Sequence, residues 1–206
     1  MQANIKSIAL GKSKLYGECE NKFNSAYKKD QFFNCIKVDK LGLVGDTQVD
    51  KRYHGGIDKA IHIGSTKHFE NFTMDKLAMG CNILIDSFDE NNTNVGDIYT
   101  IGDIEVQVTQ PRQPCWKIGA IFGKEISRYI VKNYATGWYV KVLQGGTIDI
   151  NNPFILKKRV SDLSIKQLSI YLHTPPTDQE IINKVLSCES LAQSYKDDFQ
   201  KNYNIK

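Results

Sequence analysis

Residues 109–117 read Thr-Gln-Pro-Arg-Gln-Pro-Cys-Trp-Lys, with two prolines bracketing Arg112 and Gln113 and a cysteine directly after the second. Each proline fixes φ and removes an amide donor, so the segment makes a stiff loop that cannot prolong the strand before it. Such a loop presents Cys115 in a set direction. Arg112 before it and Lys117 after it favour the thiolate, which is both a nucleophile and a soft metal ligand. The other role open to an isolated cysteine is that of a small buried hydrophobe. A second set lies in residues 45–59, GDTQVDKRYHGGIDK, where Lys51, Arg52, His54 and Lys59 surround Gly55 and Gly56. Paired glycines admit a ligand close to the backbone, and cations with bare amides suit phosphate or another anion. The run is neither a P-loop nor a dinucleotide fingerprint, and a solvated turn would use the same glycines. His54, His62 and His68 lack the i, i+4 or HxH relation that preforms a metal site, and read as packed or surface histidines. Gly137-Trp138-Tyr139 opens a strand whose adjacent rings point to opposite faces, so one can fill the core while the other borders a pocket.

The elements that must position these residues are strands up to about residue 160. Ile104, Val106 and Val108 alternate with polar residues, the period-2 pattern of a half-buried strand, and Gly102-Asp103 makes a hairpin turn after DIYTI. Further short apolar runs occur at 35–38, 60–63, 82–85, 138–143 and 154–156. Short strands joined by glycine turns predict a closed or strongly curved sheet. Two helices interrupt it: one capped by Ser65 and running to about residue 79, and one over 124–134 with Ile126, Ile130 and Tyr134 on a single stripe. Asn91-Asn92-Thr93-Asn94 predicts an exposed loop. After Arg159 the pattern turns helical. Ser164 with Gln167, and Thr177 with Glu180, fit capping boxes, Pro175-Pro176 separates two helices, and Ser190 can begin a third. The expected fold is mixed α/β and predominantly β, with a curved barrel over 1–160 and a three-helix unit over 161–206.

Composition bounds the rest. The chain has 206 residues, 41% hydrophobic and 24% charged, which excludes disordered and collagen-like classes. Its net charge of +4 makes no case for a nucleic-acid binder but leaves room for a local basic pocket. Only four of the 27 cations are arginines (Arg52, Arg112, Arg128 and Arg159), and an arginine in so lysine-rich a chain points to a need for its rigid fork. The five cysteines, at 19, 35, 81, 115 and 188, form no CxxC or CxxxC pair. That spacing argues against a zinc ribbon, an iron–sulfur cluster or a complete disulfide framework. No basic-then-apolar leader opens the sequence and no run of about 18 apolar residues occurs, so a cytoplasmic protein without a membrane segment is expected.

The motifs TQPRQPCWK and DKRYHGGIDKA, in this order and with the stretches at 41–61, 95–123, 135–142 and 159–168, resemble the MOSC-domain proteins of the YiiM type, the molybdenum-cofactor sulfurase C-terminal-like domains. The resemblance implies a β-barrel that binds molybdopterin-ligated molybdenum, with Cys115 as the protein's ligand to the metal and the catalytic residue. It further implies cofactor contacts from Arg52, His54, Gly55, Gly56, Lys59, Asn82, Thr109, Gln110 and Arg112, with Trp138 or Tyr139 on the substrate side. Where the family carries a Gly-Glu-Asn-Leu-like element this chain has Gly80-Cys81-Asn82-Ile83, which keeps the asparagine and replaces the carboxylate with a thiol. The implied activity is reduction of N-hydroxylated compounds such as 6-hydroxylaminopurine. Electrons would come from a separate flavin or iron–sulfur reductase, since the chain has no dinucleotide fingerprint, haem motif or cysteine cluster. Two other readings stand beside it: a carrier of sulfur or of the cofactor on Cys115 without turnover, and a barrel that serves only as an interaction module.

Overall fold

Alternating side chains on short, β-branched runs build the core. The computed structural model describes residues 1–50, 53–69 and 80–203. In chain order the strands are β1 (Gln2–Leu10), β2 (Lys14–Tyr16), β3 (Phe23–Ser25), β4 (Gln31–Phe32), β5 (Cys35–Asp39), β6 (Gly42–Leu43), β7 (Ile61–Ser65), β8 (Ile83–Ile85), β9 (Ile98–Ile101), β10 (Ile104–Pro111), β11 (Trp138–Gln144), β12 (Gly146–Asp149) and β13 (Pro153–Lys158). The α-helices are α1 (Lys117–Phe122), α2 (Lys124–Asn133), α3 (Ile165–Tyr171), α4 (Gln179–Ser187) and α5 (Gln193–Tyr203). Strands β13, β9, β10, β11, β7, β8 and β1 pair in that order, and β1 closes onto β13 through Gln2↔Ile155, Ala3↔Phe154 and Asn4↔Pro153. The chain is therefore a mixed α/β protein built on a seven-stranded barrel with helices at its C-terminal end. Closure removes the barrel's open edges. Ile104, Val106 and Val108 are buried, as their alternation requires, beside Ile8, Ile61, Ile63, Ile83, Trp138 and Phe154. The run at 35–38 forms β5, which pairs with β6 and β12 in a separate small sheet.

A second apolar cluster joins Leu163 and Leu168 to Val185, Leu191, Tyr195 and Phe199, and Val95 from the barrel segment reaches into it. Ser164 caps α3 in a full capping box with Gln167. The next helix departs from its expected cap: Asp178, not Thr177, accepts the Glu180 amide at 2.8 Å, because a carboxylate one residue later meets the free donor directly. The third helix starts at Gln193 rather than Ser190, after the Ala192 amide has bonded to Thr109 O at 3.1 Å. The 91–94 loop is only half exposed. Thr93 and Asn94 are buried under α3, where Ile165 N donates to Thr93 O and Asn94 Nδ2 donates to Ser161 O. Ser65 ends β7 and a single 3₁₀ turn spans Thr66–Phe69; most of the helix expected to follow falls outside the described residues. Helix α2 ends as expected, with Tyr134 in the left-handed region at φ 54°. Among the described residues no helix is long and apolar enough to cross a membrane.

Candidate active site

Strand β10 carries the chain to the site. The expectation that the strand stops before the first proline is corrected: Pro111 pairs with Trp138, and the Arg112 amide still donates to Gly137 O at 3.1 Å. Strand β9 accompanies β10 only as far as Gln107, so beyond it the outer side of β10 has no strand partner and can tolerate a residue without an N–H. The stiff loop therefore starts at Gln113. Cys115, half-buried, sits just before α1, and its carbonyl accepts the Ile118 amide at 3.1 Å.

Cys115 lines a cavity of about 610 Å³, counting its open mouth, whose other walls come from residues 25–29, from 46–50, from His54, Gly55 and Lys59, and from the barrel end at His62, Gly80, Asn82 and Tyr139. A second recess, of about 1000 Å³ counting its open mouth, lies on the outer side of the same cysteine, bordered by Tyr53, Gln110, Gln113, Trp116 and Asp198. Asp50, His54, Lys59, Cys115, Lys117 and Tyr139 belong to both. The thiol thus stands where an inner chamber meets an outer one.

The inner chamber is cationic. Arg112 is 4% exposed; its Nη1 donates to Tyr27 Oη at 2.9 Å and its guanidinium carbon lies 4.6 Å from the centre of that ring. Among the described residues no carboxylate lies within ion-pair distance of it, whereas the neighbouring Lys29 is held by both oxygens of Asp46 at 2.7 Å. Burial pushes His54 down to about 4, helped by Arg112, Lys59 and Lys117, so the ring is neutral at pH 7 and its Nδ1 lies 3.4 Å from Tyr139 Oη. Burial lowers Lys59 as well. His62, also neutral, is pushed down to about 3 by burial and by Arg112, against the pull of Gly80 O and Thr136 O on its two ring nitrogens. A permanent charge held out of water without a counter-ion is costly, and an anion in the cavity would offset that cost.

Of the residues expected at the site, His54, Gly55, Lys59, Asn82, Arg112, Cys115 and Tyr139 line the inner chamber, and Gln110 borders the outer one. Three others are elsewhere. Trp138 is fully buried in the barrel core, because alternation along β11 sends its ring inward and that of Tyr139 to the cavity. Thr109 is buried in the barrel wall, its hydroxyl bonded to Asp58 O at 2.6 Å and lying 3.0 Å from Tyr139 O; it fastens the turn that precedes β7. Gly56 borders neither chamber and caps that turn at φ 85°. Arg52 lies outside the described residues. Gly55, at φ 85°, would press a Cβ against Gln48 at 3.1 Å. Cys81 lies beneath the site among Ile118, Ile130 and Leu84, and burial pushes its thiol up to about 12. Tyr27 and Lys29, which no motif or spacing marks in the sequence, complete the walls together with Asp46 and Gln48 of the 45–59 run. Among the described residues no group of three or more His, Cys, Asp or Glu is placed to hold a metal ion, so a metal here would have to bring most of its own ligands.

Residues 50–154, which include the Cys115 loop, the glycine pair and all six residues shared by the two chambers, match the MOSC domain family. The chain belongs to the MOSC-domain family. That family is associated with the molybdenum cofactor. The MOSC chain is 29% identical over 204 residues to protein YiiM of Escherichia coli strain K12, covering 94% of this chain and 90% of that one. The crystal structure of YiiM from Geobacillus stearothermophilus matches with a TM-score of 0.78 at 28% identity, covering 97% of this chain and 98% of the other. A longer protein of Gibberella moniliformis, named a reductase, is 27% identical over 155 residues, which is 70% of this chain and 27% of that protein.

Proposed function

We propose that this MOSC protein is a molybdenum-cofactor-dependent reductase of N-hydroxylated compounds, converting an N–OH group to N–H with two electrons and two protons and releasing water. The observation that carries the proposal is the shared wall of Cys115 and Arg112, a thiol beside a buried guanidinium with no carboxylate partner among the described residues. The donor set fits the group: Cys115 would give the metal a protein thiolate, and Arg112, Lys59 and the backbone around Gly55 would hold the anionic phosphate arm. When bound, the cofactor supplies the two-electron redox chemistry. Tyr27 and Tyr139 keep Arg112 in place, the neutral His54 ring orients the Tyr139 hydroxyl, and the outer chamber admits the substrate to the other side of Cys115. The fungal relative named a reductase supports a redox role, and electrons would come from a separate flavin or iron–sulfur protein. Purified protein is expected to carry about one molybdenum and one pterin per chain and to reduce 6-hydroxylaminopurine with an artificial donor. Cys115→Ser should abolish turnover while the protein stays folded. Transfer of cofactor or persulfide sulfur without any turnover would instead establish a carrier.

A further inference from the structure

The outer chamber has one wall that does not come from the barrel. Helix α5 is fastened to the strand and loop leading to Cys115 at successive points: Ala192 N donates to Thr109 O at 3.1 Å, Ser194 Oγ to Gln110 Oε1 at 2.9 Å, and Gln113 Nε2 to Asp198 Oδ2 at 2.9 Å. Ser194 and Asp198 are four residues apart and share one face of the helix. Tyr195 and Phe199, both fully buried on the adjoining face, keep α5 from rolling. A carboxylate is thus held at the border of the chamber that also contains Cys115, Lys59 and Trp116. Its charge reaches Lys59, yet the two are not within ion-pair distance. Gln113 occupies Oδ2, and Oδ1 has no hydrogen-bond partner among the described residues. An ionised carboxylate only accepts hydrogen bonds, so what it can recognise is a donor.

The geometry points to Asp198 as the residue that accepts a hydrogen bond from the N–H or N–OH edge of the substrate in the outer chamber and thereby selects amidine-like N-hydroxylated bases. This assignment rests on the reading of Cys115 as the reductase centre. It makes the C-terminal helices part of the active site, since Asp198 comes from α5 whereas the chamber's other carboxylate, Asp50, comes from the segment before β7.

Calorimetric titration of 6-hydroxylaminopurine into the molybdenum-loaded protein tests it, with steady-state kinetics alongside. Asp198→Ala should weaken binding about 10-fold, the loss of one charge-assisted hydrogen bond. Asp198→Asn, which keeps a neutral acceptor, should weaken it less, and in both variants KM should rise in parallel with Kd while kcat stays within about twofold of wild type. Asp197→Ala, on the neighbouring position of α5, should change nothing. Equal affinity in wild type and Asp198→Ala, an equal loss in Asp197→Ala, or no binding of the base by wild type would overturn the assignment. Asp198-dependent binding without turnover would uphold it and remove the reductase reading instead.

Discussion

A buried arginine without a carboxylate partner trades stability for binding, and Arg112 makes that trade measurable. Replacing it with methionine, similar in reach and uncharged, removes the cost of burying the guanidinium. Cofactor-free Arg112→Met should therefore unfold in urea at a midpoint equal to or above that of wild type. The same variant should retain less than about a tenth of the pterin after desalting, since a charge-assisted contact is worth one to two factors of ten. A destabilised variant that keeps its pterin would contradict this role. The neutral histidines give a second test. The folded values of His54, about 4, and His62, about 3, both lie below the ordinary 6.5, so the unfolded chain takes up protons first as pH falls. Their stabilisation is complete above about pH 6.5 and is lost progressively as pH falls towards those folded values. Urea midpoints measured from pH 7 to 4.5 should decline, and His54→Gln should decline less steeply; parallel curves would contradict the assigned protonation state.

At the scale of elements, the start of β11 decides whether the site is assembled. Gly137 has φ 68°, its amide donates to the buried Glu90 carboxylate at 2.7 Å, and its carbonyl receives the Arg112 amide. A Cβ there would lie 2.3 Å from Ile63 O and 2.7 Å from His62 Nε2. Gly137→Ala should cost at least about 2 kcal/mol in chemical denaturation, from overpacking and the left-handed backbone together. The barrel strands were legible in the sequence because burial on one face imposes alternation, as Ile104, Val106 and Val108 show, and Ser164 with Gln167 announced α3 by its capping box. Helix α1 was not, since KIGAIF has only six residues and opens inside the motif that drew the chemical reading. The proline rule failed at Pro111 because a strand edge tolerates what a strand interior does not. Cys115, Arg112, His54 and Lys59 could be named from two motifs. Tyr27, Lys29 and Asp198 could not, because barrel closure and the docking of α5 bring them to the cavity from distant segments with no spacing to betray them.

Over the whole molecule, the chain leaves the last barrel strand at Arg159, whose Nε and Nη2 reach the two carboxylate oxygens of Asp97 at 3.2 and 3.0 Å while Asp97 itself is fully buried. Arg159→Met leaves that carboxylate buried with, among the described residues, only the Asn94 amide and the Tyr99 hydroxyl as donors. It should lower global stability by about 2 kcal/mol. We propose a division near residue 160 into a barrel and a helical unit with separate cores, joined closely enough that this variant still unfolds in one transition detected equally by barrel and helix probes. A net charge of +4 says little by itself; what matters is that Arg112, Lys59 and Lys117 all act on His54 at the chamber. A sulfur given by Cys115 to a molybdenum centre, as proposed above, is read out by X-ray absorption at the molybdenum edge. Bound molybdenum is expected, with a sulfur shell that loses one scatterer in Cys115→Ser. An identical sulfur shell in the two proteins, or no molybdenum in the wild type, would contradict it.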